Sequence, residues 1–414
     1  MNTPSSLAAR LNADIGDEDA WSQLTQALIA DHQTAGVVEV LTARHQRRGD
    51  GASFAYAQTV ALLRGGNHAA VERLAQEIPA NSAFHALMLY ALGLSLALRR
   101  RLDTASTTLR QGTRYCAQAA ETVFANDSRF ATAIIGQMLQ QANLLEPSTY
   151  RPQHRLPQQQ PHLPDRLPSS AGPLVVACCD ERYLHAYADR FAATLAAACP
   201  ATGALITVIN PTAESEALRQ NLTARFPLLA FASDSGPDLP AFYASHRFLT
   251  AEALLESTGR DLVLTDIDSA FPPDFSEIIA QTSRSPIAMI GKADAVEPSL
   301  RVYAALLGVR NGTPGRAFLR HAADYLRGKL AEETPVWTMD QAALFRALCL
   351  SRAEDCADLN VTLAGRFALP DAMVAAHSIP LAARMTDRGG HADYILRFDT
   401  DHRPLMSKAA PRLS

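Results

Sequence analysis

Seven of the chain's 24 prolines crowd into residues 147–173, at positions 147, 152, 157, 161, 164, 168 and 173, with Gln153, Gln158, Gln159 and Gln160 among them. Proline fixes φ and offers no backbone N–H, so such a stretch neither nucleates a helix nor joins a central strand. It reads as an extended, semi-rigid linker. The chain follows different periodicities on its two sides, and 414 residues leave room for a domain on each. The expected division is a helical module over 1–146, a linker over 147–173 and an α/β domain over 174–405.

Before the linker the pattern is helical. Trp21, Leu24 and Leu28 share one face at helical spacing, and Val37, Val40 and Leu41 share another. Alanine is abundant and β-branched runs are rare, which suits helices. Gly36, Gly49-Asp50-Gly51 and Gly65-Gly66-Asn67 cut the pattern into short pieces, giving a chain of helical hairpins. Leu89, Leu92, Gly93 and Leu96, followed after a turn by Ala105, Leu109 and Gly112, resemble a tetratricopeptide repeat. Small residues there let two antiparallel helices approach closely. Ala70 and Leu74 echo Ala105 and Leu109 at about the expected period. The resemblance implies stacked hairpins that offer a concave surface to a partner. No catalytic constellation is evident in this half.

After the linker, short apolar β-branched runs alternate with helical ones. Leu174–Cys179, Ala204–Asn210, Leu228–Ala232 and Asp261–Thr265 read as strands. Tyr183–Ala198, Glu214–Arg225 and Ser245–Ser257 read as the helices between them. Alternation with short joints means a mostly parallel sheet with helices on both faces. Ligands of such sheets sit beyond the carboxyl ends of the strands.

That rule points to the end of the fourth strand, where Leu262-Val263-Leu264-Thr265 runs into Asp266-Ile267-Asp268. Where a strand is still extended, residues i and i+2 project to one side. Two carboxylates there repel each other unless a cation sits near them. Mg²⁺ or Mn²⁺ suits carboxylates combined with phosphate oxygens. A strand followed by Asp-x-Asp therefore argues for a metal-bound diphosphate.

Residues 174–400 resemble a glycosyltransferase of the GT-A fold, the nucleotide-diphospho-sugar transferases. Phe242-Tyr243-Ala244-Ser245-His246-Arg247-Phe248-Leu249 resembles the family helix before the Asp-x-Asp strand, and Leu264-Thr265-Asp266-Ile267-Asp268 the metal motif. Gly308–Thr313 followed by Arg316–Leu319 is similar to the strand-to-helix segment near the acceptor side. Trp337-Thr338-Met339-Asp340-Gln341 resembles the later Asp-Gln helix start. The resemblance implies a Rossmann-like sheet, a sugar-nucleotide donor and Mn²⁺ or Mg²⁺. Asp268 would coordinate the metal, and Asp266 would bind metal or ribose. Asp180, at the end of the first strand, would sit over the nucleotide, and Arg247 would reach the pyrophosphate or base. Asp340 and Gln341 would lie near sugar and acceptor, with Asp340 the candidate base of an inverting reaction. A late histidine would complete the metal shell. His377 and His391 compete for that place, and His391, after Gly389-Gly390, is preferred. The helical module would select a protein or glycan acceptor.

Other readings are weaker. In a haloacid-dehalogenase-type phosphatase the Asp pair ends the first strand of its domain and continues with Thr or Val; here it ends the fourth and continues Ser269-Ala270. A sugar nucleotidyltransferase wants a Gly-rich basic loop where this chain has Cys178-Cys179-Asp180-Glu181-Arg182. A degenerate helical-repeat adaptor need not keep both Asp residues and Asp340-Gln341. Lys plus Arg number 38 against 42 Asp plus Glu, a net charge of −4, which disfavours nucleic acid as a partner. Apolar runs fall short of the roughly 18 residues of a membrane span, and the first 21 residues lack the basic and apolar regions of a secretory signal. Six cysteines without a CxxC pair argue against structural zinc or a disulfide framework and point to a cytoplasmic protein. Cys178 and Cys179 read as core residues, with no histidine evident as a partner for a catalytic thiol.

Overall fold

The computed structural model describes residues 4–14, 16–17, 19–24, 40, 43, 51–78, 80, 84–119, 128–146, 167–170, 172–271, 275–291, 295–331, 338–359, 395–398 and 404–407. The chain forms two compact units. The first comprises residues 1–158 with 291–303 and 317–352; the second comprises 159–290, 304–316 and 353–414. The units are thus not consecutive in sequence, whereas the periodicity divides the chain once, at its prolines. Most of the proline-rich stretch lies outside the described residues.

The first unit is helical. It contains α1 (Pro4–Ala13), α2 (Gly51–Arg64), α3 (His68–Glu77), α4 (His85–Leu98), α5 (Leu102–Ala119) and α6 (Ser128–Leu145). α4 buries residues on every side, as a central helix with neighbours all round does. It turns into α5 through Arg100, which takes a left-handed φ of 65°. The two helices lie so close that a Cβ at Gly93 would fall 2.5 Å from Leu109 Cγ and 3.3 Å from the Ala105 carbonyl. A Cβ at Gly112 would fall 3.2 Å from Leu89 Cβ. These are the residues that carry the repeat-like pattern, and close approach of antiparallel helices is what they provide.

Late segments complete this unit. Gln141 Nε2 donates to Ser299 Oγ at 2.8 Å, in a short 3₁₀ turn over Pro298–Leu300. The Tyr325 hydroxyl donates to the Leu144 carbonyl at 2.6 Å. Arg346 Nη1 donates to the Leu145 carbonyl at 3.4 Å, and Arg100 Nη1 to the Ser351 carbonyl at 2.9 Å. Leu144 and Leu145 are the buried end of α6, and Leu326, Ala343 and Leu344 supply further core from the late segments.

The second unit is built on a sheet with strand order β3-β2-β1-β4-β6-β5-β7. The strands are β1 (Leu174–Cys179), β2 (Gly203–Ile209), β3 (Leu229–Asp234), β4 (Leu262–Thr265), β5 (Ile287–Gly291), β6 (Val302–Val309) and β7 (Cys356–Asp358). β1 pairs in parallel with β2 and β4, β2 with β3, and β5 with β7; β6 runs antiparallel to β4. A separate hairpin pairs β8 (Ile395–Phe398) with β9 (Pro404–Ser407). Every residue of β1, β2 and β4 is buried, which explains why they read as unbroken apolar runs: helices cover both faces.

Those crossovers are α7 (Glu181–Ala198), α8 (Ala213–Arg225) and α9 (Pro240–Thr258). α7 turns Leu184, Ala188, Phe191, Ala192 and Leu195 inward at helical spacing. Each large side chain among them stabilises the unit by about 1.5–3 kcal/mol relative to exposure. The helix starts are set locally. Asp180 caps α7, Thr212 caps α8 in a capping box with Ser215, and Pro240 opens α9. α9 ends at Gly259, whose φ of 64° glycine adopts without strain. Arg260 then fastens the segment before β1, donating to the carbonyls of Pro168, Gly172 and Pro173 and to Ser170 Oγ.

The packing sets opposite signs for two glycine substitutions. Gly93→Ala should destabilise the protein by about 1–3 kcal/mol in urea unfolding, although alanine favours helix by about 1 kcal/mol. Gly136→Ala, on α6 where a Cβ meets nothing within 4 Å, should instead stabilise by roughly 0.5–1 kcal/mol. Because 291–303 and 317–352 complete the first unit, a fragment lacking residues 1–150 should lose its cooperative thermal transition; a sharp one at the full-length temperature would refute the division.

Candidate functional site

The order 3-2-1-4 places a reversal of winding between β1 and β4, the position at which open parallel sheets receive ligands beyond their carboxyl ends. β1 ends into Asp180 and β4 into Asp266-Ile267-Asp268. The two strands are parallel neighbours in register Val176 to Leu264, so both acidic ends emerge on one rim.

The Asp pair does not continue the strand. β4 stops at Thr265 and the chain turns, with Ser269 N donating to the Asp266 carbonyl at 3.2 Å and the Thr265 and Ser269 hydroxyls 3.0 Å apart. Strand alternation is therefore not what orients the two carboxylates. Ile267 is driven into the core, which leaves Asp266 and Asp268 both partly exposed on either side of it. The two aspartates thus sit in a turn anchored through one buried isoleucine.

Arg247 lies on α9 with 2% of its side chain exposed, and its Nη2 is 2.7 Å from Asp266 Oδ1. Nη1 donates to the Ala244 carbonyl at 2.8 Å and Nη2 to the Ala304 carbonyl at 3.1 Å, with the guanidinium 4.5 Å from the Phe248 ring centre. The resemblance implied an arginine reaching the donor's pyrophosphate or base. The structure instead turns this one inward, onto Asp266 and the β6 backbone, because a buried guanidinium needs an anion and carbonyl oxygens around it. Asp266 remains 31% exposed on its other side.

Asp180 is buried. Its Oδ1 accepts from Tyr183 N at 2.8 Å and its Oδ2 from Arg182 Nε at 3.1 Å. Tyr183 is 41% exposed, yet its hydroxyl is pushed up to about 12. Desolvation is the largest cause, followed by Asp268, Tyr187, Asp180 and Asp266. Carboxylates at the end of a buried strand are oxygen ligands of the kind a hard divalent cation takes.

The carboxyl end of β3 carries a pair that sequence reasoning missed. His246 Nε2 is 2.8 Å from Asp234 Oδ2, and both side chains are buried. Burial by itself pulls the imidazole down; the Asp234 hydrogen bond and then Cys178 outweigh it and push His246 up to about 9. Cys178 and Cys179 are buried as expected, and burial pushes the Cys179 thiol well up. Cys178 does have a histidine neighbour, and its Sγ donates to the Tyr243 carbonyl at 2.8 Å. No local pattern joins residues 178, 234 and 246; only the sheet brings them together.

Asp340 and Gln341 belong to the first unit, in the first turn of helix α12 (Met339–Leu350). Thr338 occupies the cap position without a side-chain cap bond. Asp340 is buried and its Oδ1 accepts from Gln341 N at 2.7 Å. With its carboxamide turned so that the nitrogen meets these acceptors, Gln341 donates to the carbonyls of Ser299 and Val302 at 3.1 and 3.2 Å and ties α12 to the 3₁₀ turn. His377 and His391, the two candidates for a further metal ligand, lie outside the described residues.

No family model and no curated protein matches the chain. Among solved structures it is similar to the apo form of the bifunctional glycosyltransferase WbbM, at 13% identity and a TM-score of 0.34, over 48% of this chain and 40% of that one. It is also similar to the mannosyltransferase PcManGT from Pyrobaculum calidifontis in complex with GDP-Man and Mn²⁺, at 11% identity and a TM-score of 0.26, over 66% of this chain and 94% of that one. The chain thus spans about two fifths of the first structure's length. Similarity at this level assigns neither an activity nor a ligand. No helix among the described residues is long and apolar enough to cross a membrane.

The His246–Asp234 pair makes stability depend on pH. A histidine raised from 6.5 to about 9 on folding contributes fully below 6.5, and the contribution is lost as pH rises through 9. The unfolding free energy from urea titration should therefore fall between those values by an amount on the order of 3 kcal/mol, and His246→Gln should remove that slope. Parallel curves for the two proteins would show that the imidazole is not charged.

Proposed function

We propose that the second unit is the donor-binding part of a metal-dependent glycosyltransferase, which moves a sugar from a nucleoside-diphosphate donor to an acceptor hydroxyl. The observation that carries the reading is the delivery of Asp180 and of Asp266-Ile267-Asp268 to the carboxyl ends of the two parallel neighbours where the winding reverses. Its support is the donor chemistry of those groups, together with the resemblance of residues 242–249 and 264–268 to the motifs of that class.

Asp268 and the exposed side of Asp266 would hold Mn²⁺ or Mg²⁺. When bound, the cation supplies charge neutralisation to the diphosphate as its bond to the sugar breaks. The chain's own residues do the rest. Arg247 acts as a positioning residue: it fixes the Asp266 carboxylate and leaves one face of it open. Tyr183 keeps its proton at neutral pH and can donate a hydrogen bond to a ribose or phosphate oxygen. Asp180 fixes the start of α7 and with it the Tyr183 backbone. The helical first unit is the candidate for acceptor selection, protein or glycan.

The test is thermal stabilisation by a panel of UDP-, GDP-, CDP- and dTDP-sugars with Mn²⁺ or Mg²⁺. A true donor at about 100 times its dissociation constant should add about 2.7 kcal/mol to stability. Asp268→Asn should abolish that shift and cut donor hydrolysis by at least roughly 100-fold, about 2.7 kcal/mol of barrier, while the apo melting temperature stays within a few degrees. No shift with any sugar nucleotide, or a fully active Asp268→Asn protein, would end the reading. Arg247→Met should weaken metal binding and lower stability together, because it leaves Asp266 without its partner.

A further inference from the structure

We propose that Glu181, His185 and Glu214 form a second divalent metal site, of the type that takes Zn²⁺ through one imidazole and two carboxylates. One ligand atom from each residue lies within 4.8 Å of the other two. Glu181 and His185 are four residues apart on α7 and so share a face of the helix. Glu214 approaches from the first turn of α8. Both helices start at carboxyl ends of parallel neighbours, β1 and β2, so the three ligands ride on rigid elements of one sheet.

The acids alone have an ordinary explanation, since carboxylates in a helix's first turn are favoured by the positive end of the dipole. That does not account for the histidine. His185 Nε2 is shielded from solvent and has no hydrogen-bond partner, although it points at Glu181 Oε1 from 3.9 Å, too far for a hydrogen bond. One of its ring nitrogens lies within 4.8 Å of a carboxylate oxygen of each glutamate, and Nε2 is hydrogen-bonded to neither. Thr212 Oγ1 donates to Glu181 Oε1, which orients that carboxylate as the outer partners of metal ligands do.

The nearby cations are engaged elsewhere. Arg182 Nε pairs with Asp180 at 3.1 Å and Arg219 Nη1 with Glu216 at 3.0 Å. Among the described residues no lysine or arginine pairs with Glu181 or Glu214. Zn²⁺ takes such ligands at about 2.0–2.2 Å, so the three atoms must close by roughly an ångström. Glu181 and His185 side chains, 27% and 30% exposed, are free enough of packing to do so. Three protein ligands leave a coordination position for water. None of these residues belongs to the Asp266-Asp268 turn, although Glu181 follows Asp180 at the start of α7.

Calorimetric titration of metal-free, full-length protein with Zn²⁺ tests it, using the double variant Asp266→Asn/Asp268→Asn to remove the other set of acids. That variant should still bind one Zn²⁺ per chain. Adding His185→Ala or Glu214→Gln should weaken binding by about tenfold or more. Cu²⁺ loaded into the double variant should show electron-paramagnetic coupling to one imidazole nitrogen, absent after His185→Ala. Should the double variant fail to fold, the same two substitutions in the wild-type background should remove one Zn²⁺ equivalent and leave the circular dichroism of the metal-free protein unchanged. Zn²⁺ binding that ignores both substitutions, or no Zn²⁺ uptake at all, overturns the proposal.

Discussion

A buried guanidinium requires an anion close by, and the second unit is arranged round that requirement. Arg247 would be costly inside the protein without Asp266. Its pairing joins α9, the turn after β4 and the backbone of β6 at Ala304. The same contact decides what the rim can do. One Asp266 oxygen faces the arginine, so the turn that carries Asp266 and Asp268 is fixed from beneath while its outer side stays accessible. Ile267 pins the turn from the core side, and the 265–269 hydroxyl contact closes it.

Charge placement at the end of β3 follows the same logic. His246 and Asp234 hold a compensated pair of charges where neither would survive alone, and Cys178 lies beside them. Tyr183 stays protonated because desolvation and three neighbouring acids all oppose its ionisation.

Much of the second unit could be read from sequence, because periodicity and cap chemistry are local. β1 is found over the residues expected, and β2 differs by one residue at each end. α9 begins at Pro240, five residues before the apolar pattern suggested; the proline, acceptable at a helix's first position, was the available signal. The Asp-x-Asp segment follows a strand end as expected, but the strand stops at Thr265 and the pair lies in a turn, which nothing in its composition announces. In the first unit the Leu89–Gly112 pattern foretold close helix packing, and the glycines at 93 and 112 sit where no Cβ would fit. The discontinuity of that unit was not legible: an amphipathic helix in 317–352 declares that it has a buried face, not what covers it.

By itself the sequence determined the elements, their caps, and the delivery of two aspartates to the end of a buried strand, because each depends on residues a few positions apart. Only the tertiary structure decided that β6 enters antiparallel beside β4, that Arg247 faces Asp266 and not solvent, that His246 meets Asp234, and that Glu181, His185 and Glu214 converge. Those outcomes depend on distances between side chains of different elements. Such distances are set by packing and charge compensation over the whole unit, and they leave no trace in local spacing.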